Sequence, residues 1–370
     1  MKRLLFVVLV LACAVPVFAD DALVLPQGVW RTRIIPVYSF ARNVFEDDFG
    51  VDRESVEADL SVFSLGFAVE YAFTDWITAA MQWTPGLVAW SDIDTDDDGD
   101  VTVNRWFDLF AGSKFQLIGP TPSNPVTRRD MRLALAAGFK IPFASADWES
   151  EAESRGDGKD FIGANVARNV LGVGARFYFD YIFSERFFVN LYSEFIRYPV
   201  DGDAPTLATY GGVATHNFIR GIGDANPFGY DKLPDDKFGY GYDLTLEIEP
   251  YYVHDAAAGL RITPSLPVTF NYSPELTLDG KRLSRIKGYT GFDPGPDPLD
   301  PGDYVWEDGR IYPDAGPSML LSVGPTVEFF FTGLKVPTAL EVTYSYPVAG
   351  RNTNATNALI IQIKNYLKFW

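Results

Sequence analysis

Asp94, Asp96, Asp98 and Asp100 recur at every second position of one short acidic run, with Gly99 and Val101 among them. Carboxylates at the first, third and fifth places, glycine at the sixth and an apolar residue at the eighth form the pattern of a calcium loop, in which the glycine permits a sharp turn around the ion. Arg105 stands at the twelfth place, where such a loop supplies a bidentate glutamate. The run therefore reads either as a weak calcium site, of roughly millimolar affinity, or as a hydrated acidic tip. Other chemistry is sparse. The only histidines are His216 and His254, and no nucleophile elbow, phosphate-binding glycine loop or zinc spacing accompanies them. Catalysis is not expected, and no motif requires a cofactor.

A larger set of charged residues is spread along the chain inside apolar segments: Arg31, Arg33, Glu70, Asp108, Lys114, Arg132, Lys140, Arg176, Asp180, Glu194, Asp243, Glu247, Glu249, Arg261, Glu328 and Glu341. The segments that carry them alternate with period two. In 29–41, Trp30, Ile34, Tyr38 and Phe40 share one face, with Arg31, Arg33, Ile35 and Ser39 opposite. In 60–73, Phe63, Leu65, Phe67, Val69, Tyr71 and Phe73 oppose Ser64, Gly66, Ala68 and Glu70. Such alternation is the signature of strands with one apolar face. Further strands are expected at 76–90, 103–117, 131–143, 168–182, 187–198, 241–254, 259–274, 318–331, 337–348 and 358–369, which makes twelve. The Asp279-Gly280 hairpin signal leaves fourteen open, although Lys281, Arg282, Arg285 and Lys287 favour a hairpin projecting beyond the others.

Short and long connections also alternate. Thr74-Asp75, Ser184 to Arg186, Asp255 to Ala258 and Thr332 to Val336 are short, whereas 42–59, 91–102, 144–167, 199–240 and 275–317 are long. Ile118 to Asp130 is a longer member of the short set, and its Gly-Pro-Thr-Pro-Ser-Asn-Pro run reads as irregular turn. The long loops, with 349–357, hold 34 acidic and 13 basic residues of a chain whose formal net charge is −18. Acidity is thus confined to one side, which gives no reason to expect a nucleic-acid partner.

At the N-terminus, Lys2 and Arg3, the apolar run Leu4 to Val17 and the site Val17-Phe18-Ala19 read as a signal peptide over 1–19, leaving 20–370 as the exported domain. Cys13, the only cysteine, also suits lipidation after Val10-Leu11-Ala12. Beyond the leader no apolar stretch reaches the ~18 residues of a spanning helix. Only helices and edge-free barrels satisfy every backbone group in hydrocarbon, so the expected fold is all-β, a transmembrane antiparallel up-and-down barrel in outer-membrane lipid. Trp30 and Phe40, ten residues apart on one face, would mark its rims at a height of ~25 Å, joined by Trp76, Phe187 and Phe331 at one rim and by Trp90, Trp106 and Phe143 at the other. The sixteen charged residues then point into the lumen, since ionised groups facing lipid are costly.

The last strand resembles the terminal recognition strand of outer-membrane proteins, with aromatic Trp370 at the end, and this implies the outer-membrane assembly machinery as a partner. Its apolar series Leu359, Ile361, Ile363, Leu367 and Phe369 runs one residue out of step with Trp370, whose face carries Lys364 and Lys368. Phe107 to Leu117, followed by Met131 to Pro142, resembles consecutive strands of the meta-pathway phenol-degradation type of outer-membrane protein, a relative of fatty-acid and hydrocarbon transporters. Phe107 replaces that family's glycine, and Phe143-Ala144 its Thr-Gly. The resemblance implies a channel or transporter for passive uptake of small apolar molecules. Asp20 to Gly28 is too short for the N-terminal hatch of the fatty-acid transporters. The glycine-rich loop 199–240, with His216, Phe218 and Arg220, is the expected constriction. The alternative is a surface-exposed structural or adhesive barrel with a closed lumen.

Overall fold

A computed structural model of the chain describes residues 22–94, 100–105, 108–142, 170–203, 237–278, 280–285, 287–292, 304–308 and 316–368. The expected leader, Asp96, Asp98, His216, Phe218, Arg220, Trp106, Phe143 and Trp370 lie outside these residues. Twelve crossings form one closed antiparallel barrel. They are β1 (Val29–Phe45), β2 (Glu54–Thr74), β3 (Ile77–Asp94), β4 (Asp100–Arg105 and Leu109–Gly119), β5 (Met131–Ile141), β6 (Gly172–Ile182) and β7 (Phe187–Arg197). There follow β8 (Tyr242–Tyr252, continued by His254–Ala257), β9 (Leu260–Ser265 and Val268–Ser273), β10 (Ser318–Val323 and Thr326–Phe331), β11 (Thr338–Arg351) and β12 (Asn357–Lys368). Each pairs with the next, and β12 closes on β1 from Val29↔Lys368 to Phe40↔Asn357. No helix among the described residues is long and apolar enough to cross a membrane. The strands cross instead.

Alternation decides which side of each strand faces out. Ile34 and Tyr38 on β1, Phe63 on β2, Phe139 on β5, Phe177 on β6 and Phe195 on β7 are exposed, while their neighbours Arg33, Ile35, Ser64 and Glu194 are buried. A continuous apolar belt of this size around a closed sheet matches lipid and not water. At the end that carries the short turns, Trp30 packs on Tyr71 at 4.5 Å between ring centroids, Tyr71 on Phe73 at 4.9 Å, and Phe183 on Phe187 at 5.4 Å. These rings form one aromatic rim.

Several expected boundaries move. The segment 91–102 is not a long irregular loop: β3 runs to Asp94 and β4 starts at Asp100, with Ile93 paired to Asp100. Asp94 and Asp100 therefore stand at the ends of paired strands, and residues 95–99 lie outside the described residues. Likewise 349–357 is largely paired, since β11 continues to Arg351 and Thr353–Asn354 pairs with Phe45 and Val44 of β1. Toward these ends acidic and other polar residues interrupt the apolar series, as Ser91, Asp92 and Asp94 do in β3, and the period-two hydrophobic signal weakens. In the other direction, β4, β9 and β10 are interrupted where one continuous strand was expected. Pro267 in β9 and Pro325 in β10 lie at the breaks, and a proline lacks the N–H that would continue the ladder. The register nevertheless runs on through the breaks in β9 and β10, as Ser265↔Thr326 and Val268↔Val323 show.

The Asp279-Gly280 hairpin does not add two crossings. Thr277–Leu278 pairs with Lys281–Arg282 and belongs to a small separate sheet with Gly202–Asp203 and Lys237–Gly239. Gly280 takes φ +77° at its turn. Among the short connections, Thr121 to Asn124 closes on itself, with the Thr121 N–H and hydroxyl both donating to Asn124 Oδ1.

Candidate functional site

The inner wall is small or polar at most positions, and its larger side chains gather into two bodies. The first is built on β4, β5 and β6. Gly112, Gly138 and Gly174 lie side by side across these strands, paired Gly112↔Gly138 and Gly138↔Gly174. The Phe110 ring lies over all three: a Cβ placed on them would stand 3.1, 2.8 and 3.0 Å from its atoms. At Gly138 that Cβ would also meet the Ala111 carbonyl oxygen at 2.5 Å, so only glycine fits here without backbone movement. The Arg176 guanidinium sits 4.0 Å from the centre of the Phe110 ring, and Lys114 Nζ sits 4.1 Å from that of Tyr178, both within cation–π range.

Ion pairs fix this cluster. Glu70 accepts from Arg31 Nε at 2.6 Å and from Arg33 at 2.6 Å, so one carboxylate serves two guanidinium groups. Arg176 pairs with Glu194, which also accepts from the Tyr192 hydroxyl. Arg132 reaches Asp180 at 3.3 Å, and Lys140 reaches Asp108 at 3.6 Å. Near β12, Lys364 joins Glu328 at 2.8 Å and Glu341 at 2.7 Å.

The second body is the chain itself. Residues 22–26 turn into the lumen instead of leaving the barrel. Asp180, fully buried, accepts the Ala22 N–H at 3.2 and 3.1 Å with its two oxygens; Thr78 accepts that of Leu25 at 3.2 Å, and Gln116 that of Val24 at 3.4 Å. The segment thus crosses from β6 past β4 to β3. Ala22 packs on Ala134, Ala136, Tyr178 and Tyr192. Gly28, at φ +79°, makes the bend that leads out of the lumen into β1, with the Val29 N–H bonded to the Pro26 carbonyl at 3.0 Å. A segment too short to be a hatch domain is therefore long enough to occupy part of the lumen.

The sequence-derived candidates are placed as follows. Arg31, Arg33, Glu70, Lys114 and Arg176 line one cavity against Leu23 to Leu25. Asp108, Arg132, Lys140, Asp180 and Glu194 pair around it, as above. Asp243 accepts from Tyr198 and Ser273, Glu247 from Thr269, and Glu249 from Tyr251, all on the β8 wall. Glu328 and Glu341 meet Lys364. Arg261 is apart from the rest: it is exposed at the turn end, paired with Asp255 at 3.2 Å. Lys364 escaped the candidate set although it alternates with outward Ile361 and Ile363. The glycine row and the 22–26 segment were also missed. For the first, the cue is Gly112, Gly138 and Gly174 at inward positions; the second shows no periodicity at all. The proposed constriction residues His216, Phe218 and Arg220 lie outside the described residues, and among the described residues no group of acidic, histidine or cysteine side chains could hold a metal.

Neither a protein-family model nor a curated protein matches the chain. Among solved structures, an outer-membrane channel from Pseudomonas putida F1 is similar over 95% of this chain and 100% of that one, at 13% identity and a TM-score of 0.58. A FadL homologue from Pseudomonas aeruginosa aligns over 93% of this chain and 91% of its own, at 7% identity and a TM-score of 0.33. The first likeness is one of fold: a transmembrane-type β-barrel.

Proposed function

We propose that the protein is a channel of the outer membrane of a double-membraned bacterium, exported by the leader at 1–19, and that it passes small molecules with apolar bodies by passive uptake. The observation that carries this reading is a closed barrel with an apolar exterior whose lumen keeps a lined cavity beside a short, hydrogen-bonded chain segment. Apolar inner positions support the choice of solute. Leu23, Val24 and Leu25 line that cavity on one side, a surface that favours hydrocarbon over water. The Pseudomonas putida channel adds support at the level of architecture. Liposome swelling with solutes graded in size and polarity tests the reading. Swelling should occur with the smallest solutes and fall steeply with size. Absence of swelling with every solute, from a barrel shown to be inserted, would contradict it and favour the closed surface barrel.

A further inference from the structure

The cavity that faces Leu23 to Leu25 has an unbalanced lining. Arg31, Arg33, Lys114 and Arg176 contribute four cations, and Glu70 is the carboxylate among the lining residues. Glu194, the partner of Arg176, stands beside that lining. Two of the cations are held by the faces of Phe110 and Tyr178, so aromatic surface and positive charge occupy the same place. The opposite lining, Leu23, Val24 and Leu25, is apolar.

We propose that this cavity binds a small organic anion, a carboxylate carried on an apolar or aromatic body. The proposal rests on the channel reading and names the class of solute for the same lumen. A carboxylate suits the guanidinium fork through paired, charge-assisted hydrogen bonds, and its gain is greatest where water is excluded. A cation entering the cavity would meet four like charges. A bare inorganic anion would leave the leucine and ring surfaces unused. A neutral molecule of the same shape would desolvate the cations without replacing their hydration. Leu23, Val24 and Leu25 supply the apolar side of the site, and the charged cluster supplies the stop.

The test is calorimetric binding to the full chain in a non-ionic detergent, with benzoate, its neutral analogue benzamide, and acetate as probes. Benzoate should bind at least tenfold more tightly than either of the others. Lys114→Met should weaken benzoate binding at least tenfold, while Lys114→Arg stays within about threefold of the parent, each variant checked for heat-modifiable migration as a folded barrel. Equal affinity for benzoate and benzamide, or for benzoate and acetate, would overturn the proposal without recourse to any variant. So would an unchanged affinity in folded Lys114→Met. Binding is read here without flux: benzoate bound by a barrel that swells no liposome would sink the channel reading alone, and swelling without benzoate binding would sink this inference alone.

Discussion

The inner wall formed by β1 to β7 and the wall formed by β8 and β9 satisfy their buried carboxylates in different ways. On the first, Glu70, Asp180 and Glu194 meet guanidinium groups. On the second, Asp243 accepts from the hydroxyls of Tyr198 and Ser273, Glu247 from Thr269 and Glu249 from Tyr251. The difference teaches where the barrel is rigidly specified. A buried ion pair fixes both partners, and removing either leaves a charge stranded in a poor dielectric. A carboxylate held by hydroxyls leaves an acceptor that an amide can reproduce. The ion-paired wall is also the one against which residues 22–26 lie.

Substitutions on the two walls should therefore differ in size. Arg176→Met strands Glu194 and removes the cation over Phe110, and it should cost ~3–5 kcal/mol in urea unfolding from lipid vesicles. A cost comparable to that of a hydroxyl-side change would erase the distinction between the walls. Asp180→Asn keeps the shape but gives up the charge that holds the Ala22 N–H, Asn190 and Arg132. The expected loss is ~2–3 kcal/mol, with amide exchange at Ala22 at least tenfold faster. Ala22 exchanging at the parent rate would mean that the segment is anchored elsewhere. Glu247→Gln retains an acceptor for Thr269 and should change stability by no more than ~1 kcal/mol.

The smallest effect belongs to an ion pair outside the lumen. At the turn before β5, Arg128 bonds Asp130 at 2.9 Å, and this hydrogen bond holds the Asp130 carboxyl below its usual value. A carboxyl lowered on folding stabilises above its unfolded pKa, and the contribution disappears as pH falls through the lowered value. Because the pair is exposed and screened by solvent, Asp130→Asn should leave the acid unfolding midpoint unmoved within error.

Much of this architecture could be read from the residues. Trp30, Ile34 and Tyr38 against Arg31 and Arg33 set the two faces of β1, and the charge at Lys281 and Arg282 kept their hairpin out of the barrel. What escaped did so for physical reasons. At the ends of β2, β3 and β11 polar residues interrupt the apolar series, and alternation carries less information. The Phe110 cradle depends on three glycines that become neighbours only through register. Residues 22–26 are held by their backbone N–H groups on Asp180, Thr78 and Gln116, a contact that no side-chain pattern in the segment announces.

Single-channel recording in planar bilayers tests the central claim most directly, by comparing the parent barrel with one whose residues 22–26 are deleted while the leader and Gln27 onward are kept. The passage described here predicts resolvable steps in the parent and a larger unit conductance with a relaxed size limit in the deletion. The same unit conductance from a correctly inserted deletion barrel would contradict the account, because the segment would then not lie in the path of ions.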